Sequence, residues 1–179
     1  MKLYARSLPA LWRGATGATI APDAVLATRF RVLPHDIDLN GHLNNGRYFQ
    51  LMDLARVEWL LRTGIARQVL RRRWRPVLAS SAIHFRRELA LWEPATATTR
   101  LLGWEGHWVY LEHAILTASG RQAALGLVRA GFRHGGSWVP IDRLAAALPH
   151  QVARPPLPPQ VTAWQGLDGV FAGLIGRAA

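Results

Sequence analysis

The period of apolar and polar positions changes twice along this 179-residue chain. From Ala24 to Leu33, β-favouring residues alternate with arginines, the pattern of a half-buried strand. From Tyr48 to about Thr63 the period lengthens. Tyr48, Leu51, Met52, Ala55 and Trp59 recur at helical spacing, and Gly64 supplies a stop signal. Phe49, Leu54, Val57 and Leu60 put apolar groups on the other faces, so the rest of the domain is expected to enclose this helix. Residues 77–89, 96–104, 108–116 and 123–133 then return to strand patterning, punctuated by Gly103, Gly106, Gly120 and Gly135-Gly136. Short connections imply antiparallel pairing. The expectation is a single α+β domain in which an antiparallel sheet wraps one long central helix.

The flanks read differently. Residues 1–24 carry the turn formers Gly14, Gly17 and Pro22 and are expected to be an irregular lead-in to a domain at 25–140. Residues 141–179 form a C-terminal extension. It holds a short helical piece (142–148), the linker Pro155-Pro156-Leu157-Pro158-Pro159 and an amphipathic helix with Trp164, Leu167, Val170, Phe171, Leu174 and Ile175 on one stripe. That stripe is expected to pack on the domain's own surface, with peripheral membrane or partner contact as the alternative. No internal repeat is visible.

Composition narrows the chemistry. There is no cysteine, which removes disulfides, thiolate nucleophiles and cysteine metal sites together. No run of about 18 uncharged apolar residues suggests a membrane span. The first residues loosely suggest a signal peptide, but Arg6, Pro9 and Arg13 interrupt the apolar region, so a cytoplasmic protein is expected. The formal charge is +11, nearly all from arginine, since Lys2 is the only lysine. Such an excess attracts phosphorylated cofactors, acidic carriers or other polyanions. The densest cluster is Arg71-Arg72-Arg73-Trp74-Arg75, whose bland reading is a solvated loop. No recognition motif accompanies the charge, so nucleic acid is not expected as a partner. No His/Asp/Glu spacing is typical of a metal site, and neither a metal nor an organic cofactor is expected.

The chemistry concentrates in Asp36-Ile37-Asp38-Leu39-Asn40-Gly41-His42-Leu43-Asn44-Asn45-Gly46-Arg47-Tyr48, between the first strand and the long helix. A carboxylate beside a helix start with unpaired backbone N–H groups can attack a carbonyl and hold the oxyanion that forms. Asp36 suits a turn role, bonding its own backbone. Asp38, Asn40 and His42 follow at two-residue steps, so an extended backbone would put them on one side. Asparagine is a favoured N-cap, which gives one of Asn44 and Asn45 a structural role. Glu88 reads as an exposed strand-end acid paired with Arg86 or Arg87, or as a functional group.

Asp38-Leu39-Asn40-Gly41-His42, followed by Asn44-Asn45-x-x-Tyr48, resembles the signature of plant acyl-carrier-protein thioesterases, members of the hotdog-fold thioesterase family. His84-Phe85-Arg86-Arg87-Glu88 is similar to their glutamate-bearing strand. Three further segments (31–34, 101–104 and 110–112) are similar to bacterial relatives of thioesterase superfamily member six. The resemblance covers roughly the middle two-thirds of the chain. It implies a hotdog fold, a homodimer or higher homo-oligomer with sites between subunits, and hydrolysis of acyl-CoA or acyl-carrier-protein thioesters. Asp38 would be catalytic as base or nucleophile, with Asn40, His42 and Glu88 assisting. Asn45, Gly46 and Tyr48 would contact substrate, and the charge of Arg71, Arg72 and Arg73, apart from the resemblance, suits the phosphates of coenzyme A or an acidic carrier. Leu89 stands where the plant enzymes have cysteine, so a cysteine route is absent. The alternatives are a non-catalytic acyl-binding or lipid-binding hotdog protein, or a dehydratase using Asp53 or Glu58.

Overall fold

The computed structural model describes residues 2–176, with side chains for residues 7–171, 173 and 174. Five long strands build one antiparallel sheet: β1 (Leu26–Arg31), β2 (Arg75–Phe85), β3 (Pro94–Glu105), β4 (Trp108–Thr117) and β5 (Gln122–His134). Their order is β1-β3-β4-β5-β2, with the two-residue β6 (Ser137–Trp138) paired to β5. β1 and β2 are therefore the two edges. Each of the four strand patterns read after the long helix is a strand, because alternation is a local property that the pleat enforces.

The long helix, α2 (Asn45–Arg62), is wrapped by this sheet. Its buried stripe is Tyr48, Leu51, Met52, Ala55 and Trp59, the same positions that recur at helical spacing. The first half of that stripe packs with Val32, Leu43, Leu89 and Ile115. Trp59 packs with Leu101, Trp104, Leu111 and Phe132, and burying a side chain of this kind stabilises the fold by about 1.5–3 kcal/mol. The helix is not enclosed on every side, since Phe49 and Val57 are each 36% exposed. This is the hotdog arrangement of a curled antiparallel sheet around one helix. No described helix is long and apolar enough to cross a membrane.

The N-terminal lead-in is corrected by the structure: Lys2–Thr16 is a helix, α1. Gly14 reads as a turn former but serves a close approach. A Cβ there would lie 2.5 Å from Leu61 Cδ1 and 2.8 Å from Leu61 Cβ, so α1 can lie on α2 only with glycine at that point. Arg13 seals the contact, its guanidinium 3.0 Å from the buried Glu58 carboxylate, which also accepts from Thr28 Oγ1 at 3.1 Å. Pro9 removes one backbone bond inside α1, and packing on α2 compensates.

Three smaller differences follow. Gly64 ends α2 but starts a second helix, α3 (Ile65–Arg71), which no periodicity announced. The predicted helix at 142–148 shortens to α4 (Ile141–Ala145). The C-terminal helix α5 (Pro159–Gly176) is present and is anchored over its first half, where Val161 and Trp164 pack with Leu102 and Tyr110, Gln165 Nε2 donates to the Tyr110 hydroxyl at 2.7 Å and Asp168 pairs with Arg129 at 2.5 Å. Leu167, Val170, Phe171 and Leu174 are more than half exposed; the side chain of Ile175 lies outside the described residues.

Candidate functional site

The turn between β1 and α2 is built on backbone bonds made by its own acids and amides. Asp36 is buried, and its Oδ2 accepts from Leu33 N–H at 2.9 Å. Its Oδ1 lies 3.4 Å from His35 Nε2. The turn role expected for Asp36 is what it performs.

Asp38 opens a tight reversal rather than the extended run that two-residue spacing suggested. Its N–H bonds His42 O at 2.9 Å, and Gly41 N–H bonds Asp38 O at 3.1 Å, with Gly41 at φ +81°, a region glycine enters at little cost. The reversal leaves Asn40 exposed near its tip beside the fully exposed Leu39. Asp38 is half-buried, and its Oδ1 accepts from Asn40 N–H at 2.9 Å. That is an Asx turn, the alternation-breaking chemistry of aspartate in loops. Among the described residues no donor reaches Oδ2. One carboxylate oxygen is therefore fixed and the other is open to a water or a substrate.

The chain past β2 closes on this turn. Leu43 N–H bonds Leu89 O at 2.9 Å, and His42 and Ala90 form a β-bridge. Glu88 lies just beyond the end of β2, not within it, and its Oε2 is 3.2 Å from His42 Nε2. Its partner is thus the signature histidine rather than Arg86 or Arg87. Both side chains are substantially exposed, at 39% and 69%, so the pair orients the imidazole more than it stabilises the fold.

At the start of α2, Asn44 is the N-cap. Its Oδ1 accepts from Gly46 N–H at 2.9 Å, and its carbonyl accepts from Arg47 N–H at 2.8 Å. Asn45 N–H is the first-turn donor that no described residue takes up, so it is the amide available to an incoming oxyanion. Gly46 N–H is not available. Tyr48, expected to touch substrate, is buried with its hydroxyl donating to Arg87 O at 3.2 Å and its ring edge-on to Phe85. Burial, and then the nearby Glu93 and Glu88 carboxylates, push its pKa up to about 12. The phenol stays protonated and holds the Glu88 segment in place.

The structure does not bring the arginine cluster to this turn within one protomer. Arg71–Arg73 precede β2, whereas Glu88 follows it. Ten residue steps along that strand, from Arg75 to Phe85, separate its ends by about 33 Å. Arg72 stacks on the buried Trp74, 5.2 Å from its ring, a structural contact. Arg73 instead lines a cleft of about 510 Å³ with Arg75, Arg133 and His134. Sequence reading missed the last three as a group, because their meeting depends on the cross-strand register Arg75↔Arg133.

The acids available to a dehydratase are engaged elsewhere. Glu58 binds Arg13 and Thr28, and Asp53 pairs with Arg56. Glu58 is also thirteen residues, about 20 Å, along α2 from Asn45.

The family model that matches is the thioesterase-like superfamily, over residues 32–165. The protein THEM6 of Xenopus laevis is 40% identical over 81 residues, which cover 45% of this chain and 39% of that protein. The chain thus spans about two-fifths of the length of that relative. Among solved structures, the probable thioesterase YbaW of Escherichia coli superposes with a TM-score of 0.62 at 21% identity, over 65% of this chain and 90% of that one. Slr0204, a 1,4-dihydroxy-2-naphthoyl-CoA thioesterase of Synechocystis, superposes with a TM-score of 0.60 at 13% identity, over 68% and 92%.

Proposed function

From the premise that this chain belongs to the thioesterase-like superfamily, we propose that it hydrolyses acyl thioesters at the turn before α2. The observation that carries this reading is the state of Asp38. One carboxylate oxygen is locked by Asn40 N–H at 2.9 Å, while the other is open near a helix start whose Asn45 N–H is unused. The carboxylate takes a proton from water as the water oxygen adds to the thioester carbonyl. The resulting oxyanion accepts from Asn45 N–H, the C–S bond breaks, and the leaving thiolate is protonated. Direct attack by Asp38 to give a mixed anhydride, then hydrolysed by water, balances equally and uses the same two groups. His42, held by Glu88, flanks the site as an orienting or proton-transfer group. Coenzyme A is the carrier that the cationic character of the chain and the CoA thioesterase neighbour favour; an acidic acyl carrier protein suits the same charge.

The working unit of this reading is a homodimer joined along β2. Eleven residues long, β2 exposes Leu78 and carries no charge between Arg75 and His84, which makes it an open edge for a second copy. Antiparallel pairing of two β2 strands places the Arg73–Arg75 end of one copy beside the Glu88 end of the other. The basic cleft then faces the partner's signature turn, and the two halves separated by about 33 Å in one copy form one site.

A screen of CoA thioesters of graded acyl length, reading free thiol, tests the activity. Asp38→Ala should lower kcat by roughly 10²-fold or more while the protein stays folded. A variant within about threefold of wild type removes Asp38 from the chemistry. Absence of thiol release on every substrate leaves a binding protein instead.

A further inference from the structure

Between the signature turn and the far end of α2 the structure holds two cavities with a shared wall. The nearer, about 210 Å³, lies between the first half of α2 and the β2/β5 pair, with Phe49, Met52 and Ala82 among its lining residues. The deeper, about 270 Å³, is lined by Trp59, Leu101, Trp104, Phe132 and Leu144 under α4. Arg56 and Leu78 line both. Each cavity alone falls short of the roughly 300–1,000 Å³ of an ordinary ligand pocket, whereas the two joined fall within it.

Arg56 is not a surface arginine resting by chance on a groove. Its side chain is 15% exposed, and its guanidinium is fixed from two sides. One side is Asp53, one turn back on α2. The other is His113 Nε2 at 3.4 Å, itself held by Thr99 Oγ1 at 3.1 Å. His113 and Thr99 are fully buried on the sheet. The result is a polar chain laid across an otherwise apolar path. A hydrocarbon chain entering beside Phe49 meets a guanidinium, and passing it requires desolvating or displacing a paired charge.

We infer that Arg56 sets acyl length: it ends the chain-binding groove in the nearer cavity, and its removal opens the deeper one to longer acyl groups. This rests on the hydrolase reading above and deepens it. Arg56 lies eleven residues, about 16 Å, along α2 from Asn45, and its bond to Asp53 draws its head back toward the helix start. The groove in front of it is therefore short, and the expected natural substrates are short acyl groups.

The test compares wild type, Arg56→Leu and Arg56→Lys on CoA thioesters from butyryl to palmitoyl. In Arg56→Leu the palmitoyl-to-butyryl ratio of kcat/KM should rise about tenfold or more, the scale on which hydrophobic pockets discriminate chain length. Arg56→Lys, which keeps a charged head at the junction, should keep the wild-type preference. An Arg56→Leu protein that hydrolyses thioesters with the wild-type length preference overturns the inference and leaves the hydrolase reading intact. If wild type hydrolyses none of them, that reading fails instead. Titration with free hexanoate and palmitate, read by calorimetry, then decides Arg56 separately. The leucine variant should gain affinity for palmitate relative to hexanoate, and an unchanged ratio overturns the assignment.

Discussion

The two edges of the sheet are built on opposite plans. β1 is six residues long and carries Arg29 and Arg31, and its inward Thr28 is tied to Glu58 and through it to Arg13 of α1. Short length and charge are devices that keep an edge from pairing with another chain. β2 has neither. It runs eleven residues with Leu78 and Phe85 exposed, and its register against β5 shifts between Leu78 and Ser80. Interior strands of the same sheet bury at least every second residue, as in β4, while no residue of β2 is fully buried. The difference teaches that exposure of apolar sequence, rather than apolar sequence itself, singles out β2 as the edge on which the proposed dimer rests.

The largest effect should come from giving β2 what β1 already has. Leu78→Lys with Ser81→Lys should convert the proposed dimer to a monomer of 19.9 kDa and lower kcat/KM on CoA thioesters by at least the roughly tenfold expected from losing the partner's arginines. Arg29→Ser on β1 should change neither. Light scattering combined with the thiol assay checks both; a dimer that survives the two lysines would place the interface elsewhere.

A smaller, substrate-dependent effect is expected at the end of β2. Arg73→Gln with Arg75→Gln should raise KM for CoA thioesters about tenfold at low salt, with kcat little changed and the difference shrinking as ionic strength rises. A truncated thioester without the nucleotide should be hydrolysed alike by variant and wild type. Equal loss on both substrates would make these arginines structural.

The smallest effect lies between the edges, at His113 on β4. Burial, and then the Arg56 charge, lower its pKa from 6.5 to about 3. Between those values the unfolded chain binds the proton and the folded chain does not, so stability is lost as pH falls from about 6.5 toward 3. His113→Asn should flatten the pH dependence of urea unfolding in that window by up to one proton without altering the dimer. Identical slopes would show that His113 is accessible to protons in the folded state.

The parts of this molecule that were legible in its sequence are those fixed by neighbours along the chain. Alternation located the long strands, and the stripe Tyr48–Trp59 located α2 and its buried face. The density of Asp, Asn and His at 36–48 located the turn. Residue type alone indicated that one of Asn44 and Asn45 caps the helix, and the structure assigns the cap to Asn44. What could not be read depends on contacts between distant segments. Gly14 looks like a turn residue until Leu61 is set against it, and α1 was missed for that reason. Asp38, Asn40 and His42 alternate on paper, but the Asp38–Asn40 bond and Gly41 turn the chain back and leave Asn40 exposed. Arg71, Arg72 and Arg73 look alike, yet Arg72 stacks on Trp74 while Arg73 joins Arg75, Arg133 and His134. The polar chain across the acyl path, from Asp53 to Thr99, joins three elements and has no local signal.

The central claim is that one site needs the signature turn of one copy and the basic end of β2 from the other. Co-expression of two differently tagged chains, one Asp38→Ala and one Arg73→Gln/Arg75→Gln, followed by purification through both tags, tests it most directly. In the hybrid, one site combines an intact Asp38 with intact arginines and the other has neither. The account predicts that kcat/KM on a CoA thioester recovers in the hybrid to well above that of either parent dimer, as one of two sites is restored. A hybrid no more active than the average of its parents would contradict it.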